Sequence, residues 1–282
     1  MADITTLVAD IYRLFDTSEI EPTEEQLDSF CLSVRNSITN AFRHKPNEKR
    51  GLRMSSLGKP GRQAWYEYHH PEAREHLTAE TKIKFLYGHI LEDLLLLFAR
   101  MSGHEVKEEQ KELELDGIKG HKDATIDGWL CDVKSASSFG FKKFKSNSLT
   151  KENDAFGYLY QIKAYGTADN NEKLCFLAID KQFGHLAVCI PDKKEYPDIK
   201  EKIKYLKTTL ELTNPPDKCY SDEPDGVTGN RKLGVNCSYC SFKNKCWSDS
   251  NDGNGLRKFI YSNGPRWLTT VKNEPKVPED IP

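Results

Sequence analysis

Two short runs of alternating apolar and polar side chains, Glu112 to Asp116 and Trp129 to Lys134, flank glycine-containing turns in the middle of the chain. Alternation of period two sends successive side chains to opposite faces, so these runs read as short β-strands meeting at hairpins. Along the second run Asp132 and Lys134 point one way, and Val133 points the other way into a packing layer. Asp123 lies one strand earlier, where it can face the same pair. Converging carboxylates can hold Mg²⁺ or Mn²⁺, hard ions that prefer oxygen ligands and retain some of their waters. An ammonium beside such an ion offsets charge that develops on an attacked phosphate. Asp-Val-Lys by itself is weak, since chance supplies it to many chains as a solvated strand edge.

Residues on either side strengthen the pattern. Tyr87-Gly88-His89-Ile90-Leu91-Glu92 lies within an apolar helical stretch, and Gln161 and Tyr165 sit one turn apart on a later one, so they share a face. In order, the chain shows Gly88-x3-Glu92, Gly120-x-x-Asp123, Asp132-x-Lys134 and Gln161-x3-Tyr165. This series resembles the PD-(D/E)XK nuclease superfamily, in the RecB-like branch that includes CRISPR-associated and phage recombination exonucleases. The resemblance implies an α/β, restriction-endonuclease-like core, with a central mixed sheet flanked by helices. It also implies roles. Asp123 and Asp132 would be metal carboxylates, the Val133 carbonyl a further ligand, and Lys134 the catalytic lysine. Glu92 stands where many relatives carry histidine and would bind the metal directly or through water. Gln161 and Tyr165 would steady the site and the nucleic-acid strand.

The activity so implied is metal-dependent hydrolysis of DNA, exonucleolytic in preference to site-specific, because no separate recognition module is visible. Single strands or duplex ends would be the substrate. Recombination or CRISPR proteins would be partners, in a bacterial cytoplasm, whether phage-encoded or not. A structure-selective endonuclease on branched or nicked DNA and a non-catalytic DNA-binding scaffold with a zinc knob are the alternative classes.

The 282 residues, 37% of them hydrophobic, suffice for a sizeable core, so disorder is not the expectation. The net charge of -2 gives no general attraction to nucleic acid, so affinity must come from a local basic lining. Arg62 is one candidate for phosphate contact. Lys142, Lys143 and Lys145, interleaved with Phe139, Phe141 and Phe144, read as a mobile loop gripping the strand just after the catalytic β-strand. Ahead of the core, residues 1–45 read as two amphipathic helices forming a lid or docking face, the second opened by the capping box Thr23-Glu24-Glu25-Gln26. Cys31 on that helix is expected to be buried.

Eight cysteines, with no signal peptide and no apolar run of membrane length, point to a reducing compartment in which clustered thiols bind metal. Cys237-x2-Cys240-x5-Cys246, with Cys219 upstream, reads as a Cys₄ knob holding structural zinc. Thiolate sets of this kind also hold 4Fe-4S clusters. Relatives with such a cluster carry its first cysteine just ahead of the aromatic helix, where this chain has Pro60-Gly61. The expected organisation is an N-terminal helical segment over 1–45, the nuclease core over 46–212, the cysteine-rich segment over 213–250 and an extended tail over 251–282.

Overall fold

The computed structural model describes residues 3–17, 19–43 and 51–280. Its first half runs α1 (Leu7–Thr17), α2 (Glu24–Phe42), α3 (Gly61–His69), α4 (Ala79–Met101), β1 (Val106–Lys107), β2 (Glu112–Leu115), β3 (Ile118–His121), β4 (Ala124–Ile126) and β5 (Trp129–Ala136). Then come α5 (Ser138–Lys145), α6 (Tyr158–Ala168), β6 (Leu174–Asp180), β7 (Leu186–Cys189), α7 (Ile199–Leu210), β8 (Glu223–Pro224), β9 (Arg231–Lys232), α8 (Val235–Ser238), α9 (Lys243–Cys246), β10 (Arg257–Tyr261) and β11 (Gly264–Thr270). Two compact units result. One is built from Met1–Pro46, Leu52–Gly58 and Leu77–Ile203, the other mainly from Lys59–His76 and Lys204–Pro282.

The first unit is a mixed five-stranded sheet in the order β1-β4-β5-β6-β7, with helices packed on it. β5 and β6 run parallel, and the other neighbours are antiparallel. Local sequence sets the hairpins. Asp116-Gly117 joins β2 to β3 and Asp127-Gly128 joins β4 to β5, all four residues at positive φ, the geometry that Asp-Gly adopts in tight two-residue turns. As the alternation requires, Cys131 and Val133 of β5 enter a core with Leu7 and Ile11 of α1, Leu95, Leu96 and Ala99 of α4, and Cys175 and Leu177 of β6. Asp132 and Lys134 are thereby turned to the opposite face.

One buried charge fixes the corner between β3 and β4. Lys122 is fully buried and donates to Glu108 Oε2 at 2.5 Å, Asp169 Oδ2 at 2.5 Å and Thr125 Oγ1 at 2.8 Å. A lysine out of water is tolerated only when its donors are matched in this way. At the other end of β4, the buried His104 lies between Asp127 Oδ2 at 2.6 Å and Asp10 Oδ2 at 3.3 Å, tying the β4–β5 turn to α1.

In the second unit, Trp65 and Tyr66 of α3 form a small core with Phe242, and a four-stranded antiparallel sheet runs β10-β11-β9-β8.

Several expectations change. α1 is part of the first unit's core, not a lid laid over it. α2 keeps its capping box, with Gln26 N bonded to Thr23 Oγ1 at 3.2 Å and Thr23 N to Gln26 Oε1 at 2.9 Å, but Cys31 on it is exposed. The lysine-phenylalanine segment is a helix, α5, with Phe141 and Phe144 buried. The compact units also divide the chain at other points than expected, since α3 belongs with the C-terminal residues. Residues after 250 hold the β10–β11 hairpin with Phe259 and Leu268 buried, where an extended tail was expected.

Lys122→Ala would strand carboxylates that now share an ammonium. Glu108 remains 42% exposed and can rehydrate, so the expected loss is roughly 2–4 kcal/mol, at or below the usual cost of breaking a buried pair. Urea unfolding of the full chain measures it.

Candidate active site

Strand register brings the acids together. In the antiparallel β4–β5 pair Ala124 stands opposite Cys131, so Asp123 and Asp132, one residue outward on each strand, come side by side. Asp123 Oδ2 accepts the backbone N–H of Val133 at 2.7 Å, which ties its carboxyl to β5. Asp132 is 1% exposed; its Oδ2 is ion-paired with Lys134 Nζ, while Oδ1 is buried with no hydrogen-bond partner. An orphaned carboxylate oxygen in a buried site is costly unless something else satisfies it.

Glu92 approaches from α4. A Cβ placed on Gly88 would lie 3.4 Å from Ser135 Oγ of β5, an ordinary contact that places this turn of the helix against the strand. One turn later, Glu92 accepts a hydrogen bond from Gln110 Nε2 at 2.7 Å. Burial, then repulsion from Asp123, Asp93 and Asp132, pushes the Glu92 carboxyl up to about 9. Burial and the neighbouring Asp132 push Asp123 up to about 7. Asp132 is raised by burial, against the opposing pull of Lys134. For Lys134 burial works downward, but Asp132 and Asp123 outweigh it and the ammonium is held more firmly than usual. The site therefore gathers more carboxyl groups than its single lysine can neutralise, and Glu92 and Asp123 hold their protons more firmly than usual.

The far side of the site belongs to α6. Asp154 starts this helix by accepting from Tyr158 N at 3.0 Å and Leu159 N at 2.8 Å. Tyr165 is 2% exposed, and its hydroxyl, hydrogen-bonded with Gln161, is pushed up to about 12 by burial and then by Asp132. Its ring occupies the space a side chain at Gly120 would need, since a Cβ there would stand 2.7 Å from Tyr165 Cε1. Gly120 and Tyr165 thus pack as one feature. The structure adds a residue that sequence reasoning missed: Tyr158, whose ring centroid is 5.1 Å from Lys134 Nζ. Its signal was its position three residues before Gln161, on the same helical face.

The remaining candidates fall elsewhere. Lys142 and Lys145 of α5 are exposed, whereas Lys143 is half-buried and donates to the Asn153 carbonyl. Arg62 requires correction as a phosphate contact, because its donors are used within the second unit. Nε donates to Cys246 Sγ at 3.1 Å, and the terminal nitrogens donate to the Pro216 carbonyl and to Tyr66 Oη at 3.3 Å. Cys219, Cys237, Cys240 and Cys246 all line one cavity of about 30 Å³ beside Arg62, Tyr66 and Trp247. Among the described residues, however, no group of three or more His, Cys, Asp or Glu side chains is arranged to hold a metal ion, at the carboxylates or at these thiols. No described helix is long and apolar enough to cross a membrane.

No known family model and no curated protein matches the chain. It is similar to the crystal structure of SSO0001 at 16% identity and a TM-score of 0.39, over 75% of this chain and 92% of that one. It is similar also to a phage-related exonuclease from Haemophilus somnus 129PT at 16% identity and a TM-score of 0.39, over 58% of this chain and 94% of that one.

Proposed function

We propose that this chain is a divalent-metal-dependent nuclease that hydrolyses phosphodiester bonds in DNA, acting from ends. The observation that carries the reading is Asp132: a fully buried carboxyl, held by Lys134 on one oxygen and by nothing on the other, with Asp123 and Glu92 crowded against it. Such an excess of carboxylates fits a hard cation. Asp123, Asp132, Glu92 and the Val133 carbonyl would hold Mg²⁺ or Mn²⁺. When bound, the ion lowers the pKa of water and polarises the phosphate.

The rest is the work of the chain itself. Asp123 keeps its orientation through the Val133 N–H, which holds its Oδ2 against β5. Lys134 offers an ammonium to the charge that grows on the phosphate oxygens, in a site sheltered enough for that charge to matter. Gln161 and Tyr165 keep α6 on the strand beneath. Lys142 and Lys145 of α5, the helix that follows β5, offer positive charge to a nucleic-acid backbone.

We propose further that the four cysteines hold a structural zinc, with a 4Fe-4S cluster as the alternative. Support comes from their shared cavity and from the Arg62 N–H on Cys246 Sγ, a donor suited to a thiolate. Purified protein is expected to contain one equivalent of zinc, or iron with sulfide and a brown colour. Cys240→Ser should lose that metal and destabilise the C-terminal unit. Metal-free protein that stays folded overturns this part.

Asp132→Asn and Lys134→Ala are each expected to lower cleavage of end-labelled linear DNA roughly a hundredfold or more in Mg²⁺ or Mn²⁺. Both variants should remain folded at the assay temperature, with Tm lowered by the loss of the buried pair, and closed circular DNA should stay intact. Cleavage at the parent rate by either variant would remove the site assignment.

The raised carboxyls also set a pH dependence. Glu92 and Asp123 keep protons in the folded chain that they have released in the unfolded one, so their contribution favours folding at low pH. It is lost as pH rises through about 7 and then about 9. Metal-free protein is expected to lose thermal stability over this window, Glu92→Gln should flatten the loss, and Mn²⁺ should raise Tm more at about pH 9 than at about pH 6.

A further inference from the structure

We propose that Tyr158 is a positioning residue for Lys134, its ring serving as a second seat for the ammonium when a divalent cation takes over Asp132. The proposal rests on the nuclease reading above and adds a residue that reading does not use.

Lys134 Nζ pairs with Asp132 on one side and lies 5.1 Å from the Tyr158 ring centroid on the other. That separation is within the range over which a ring face attracts a cation. The ring is itself held in place. Phe144, Phe176 and Phe156 surround it at centroid distances of 6.1, 6.3 and 5.6 Å, and its backbone N–H is fixed by Asp154 Oδ1. Lys134 is only 16% exposed, so an ammonium displaced from Asp132 does not simply pass into water. A bound cation would take Asp132 as a ligand and would repel the ammonium at the same time. A second carboxylate in the place of Tyr158 would compete for the cation as another hard oxygen ligand. An aromatic face attracts an ammonium through its quadrupole and offers no such oxygen from its centre. The ring therefore keeps the lysine beside β5 without adding to the site's negative charge.

Two measurements on the full chain test this. In metal-free protein, the Lys134 ε-methylene protons should resonate upfield through the ring current in the parent and in Tyr158→Phe, and lose that shift in Tyr158→Leu. With saturating Mn²⁺, Tyr158→Phe should retain most of the parent kcat on linear DNA. Replacing that phenylalanine by ring-fluorinated analogues, which keep its shape while draining the face of charge, should lower kcat stepwise. The trifluorinated ring should be roughly twofold to thirtyfold slower, with KM for DNA unchanged. A role limited to packing would leave the fluorinated series flat. A flat series in a protein whose cleavage depends on Lys134, or no ring-current shift in the parent, overturns the proposal. If the parent shows no metal-dependent cleavage, or Lys134→Ala cleaves as the parent does, the nuclease reading fails instead; the metal-free ring-current measurement still decides whether the ammonium sits on the ring.

Discussion

The Asp132–Lys134 ion pair, with side chains 1% and 16% exposed, is the interaction around which the first unit is arranged. Taking two charges out of water costs several kcal/mol per ion even after relaxation. Their mutual attraction returns about 4 kcal/mol at an effective dielectric of about 20 and a separation of about 4 Å. The pair alone does not cover its own desolvation, and the neighbouring carboxyls of Asp123 and Glu92 add repulsion. What keeps the groups in place is the backbone. β5 is bonded to β4 through Trp129 to Cys131 and to β6 along its length, which fixes the backbone that carries Asp132 and Lys134. Groups held together against their own repulsion in this way are the pattern expected of a functional site more than of a purely structural one.

Close approach is the second requirement, and glycine supplies it where the site needs it. Gly120 leaves room for the Tyr165 ring and for Met54. Where α6 begins, Gly157 has φ +73°, and a Cβ there would stand 2.4 Å from the Gly58 Cα, a contact open only to a pair of glycines. Gly120 also precedes Asp123 at a fixed spacing, which is why that short motif in the sequence carried spatial information.

The alternation that placed Asp132 and Lys134 on one face was legible because a strand's period is local and one face of β5 is filled by core residues. Glu92, Gln161 and Tyr165 were legible for a similar reason, each lying a helical turn from another marked residue. Lys122 was not. In sequence it is a lysine between a histidine and an aspartate, and its burial depends on Glu108 and Asp169, which are distant in the chain. Tyr158 was hidden likewise, since only the β5–α6 packing reveals what its ring faces. α5 read as a loop because its lysines dominated the pattern, yet Phe141 and Phe144, three apart, mark its buried face and Ser137 caps it through Gly140 N at 3.3 Å. The hairpin after residue 256 was misread as a tail although Ser262-Asn263-Gly264 lies between two runs rich in aromatic and aliphatic residues, a turn signal that outranks the general abundance of Asn, Gly and Pro.

The two units also differ in how they use their cations. In the C-terminal sheet Arg231 pairs with Asp222, Lys232 with Glu223, Arg257 with Glu274 and Glu279, Lys258 with Asp280, and Arg266 with Asp225. The basic side chains there are matched by acids of the same unit, which leaves little unbalanced charge for a phosphate backbone. Arg62 is drawn inward in the same way, by a thiol, a carbonyl and a phenol. On α5, by contrast, Lys142 and Lys145 stay exposed, and they lie on the helix that immediately follows the strand bearing Asp132 and Lys134. In a chain of net charge -2, attraction to an anionic polymer depends on where cations are left unneutralised, more than on how many there are. By that criterion the proposed contact with a phosphate backbone belongs on the first unit, at α5.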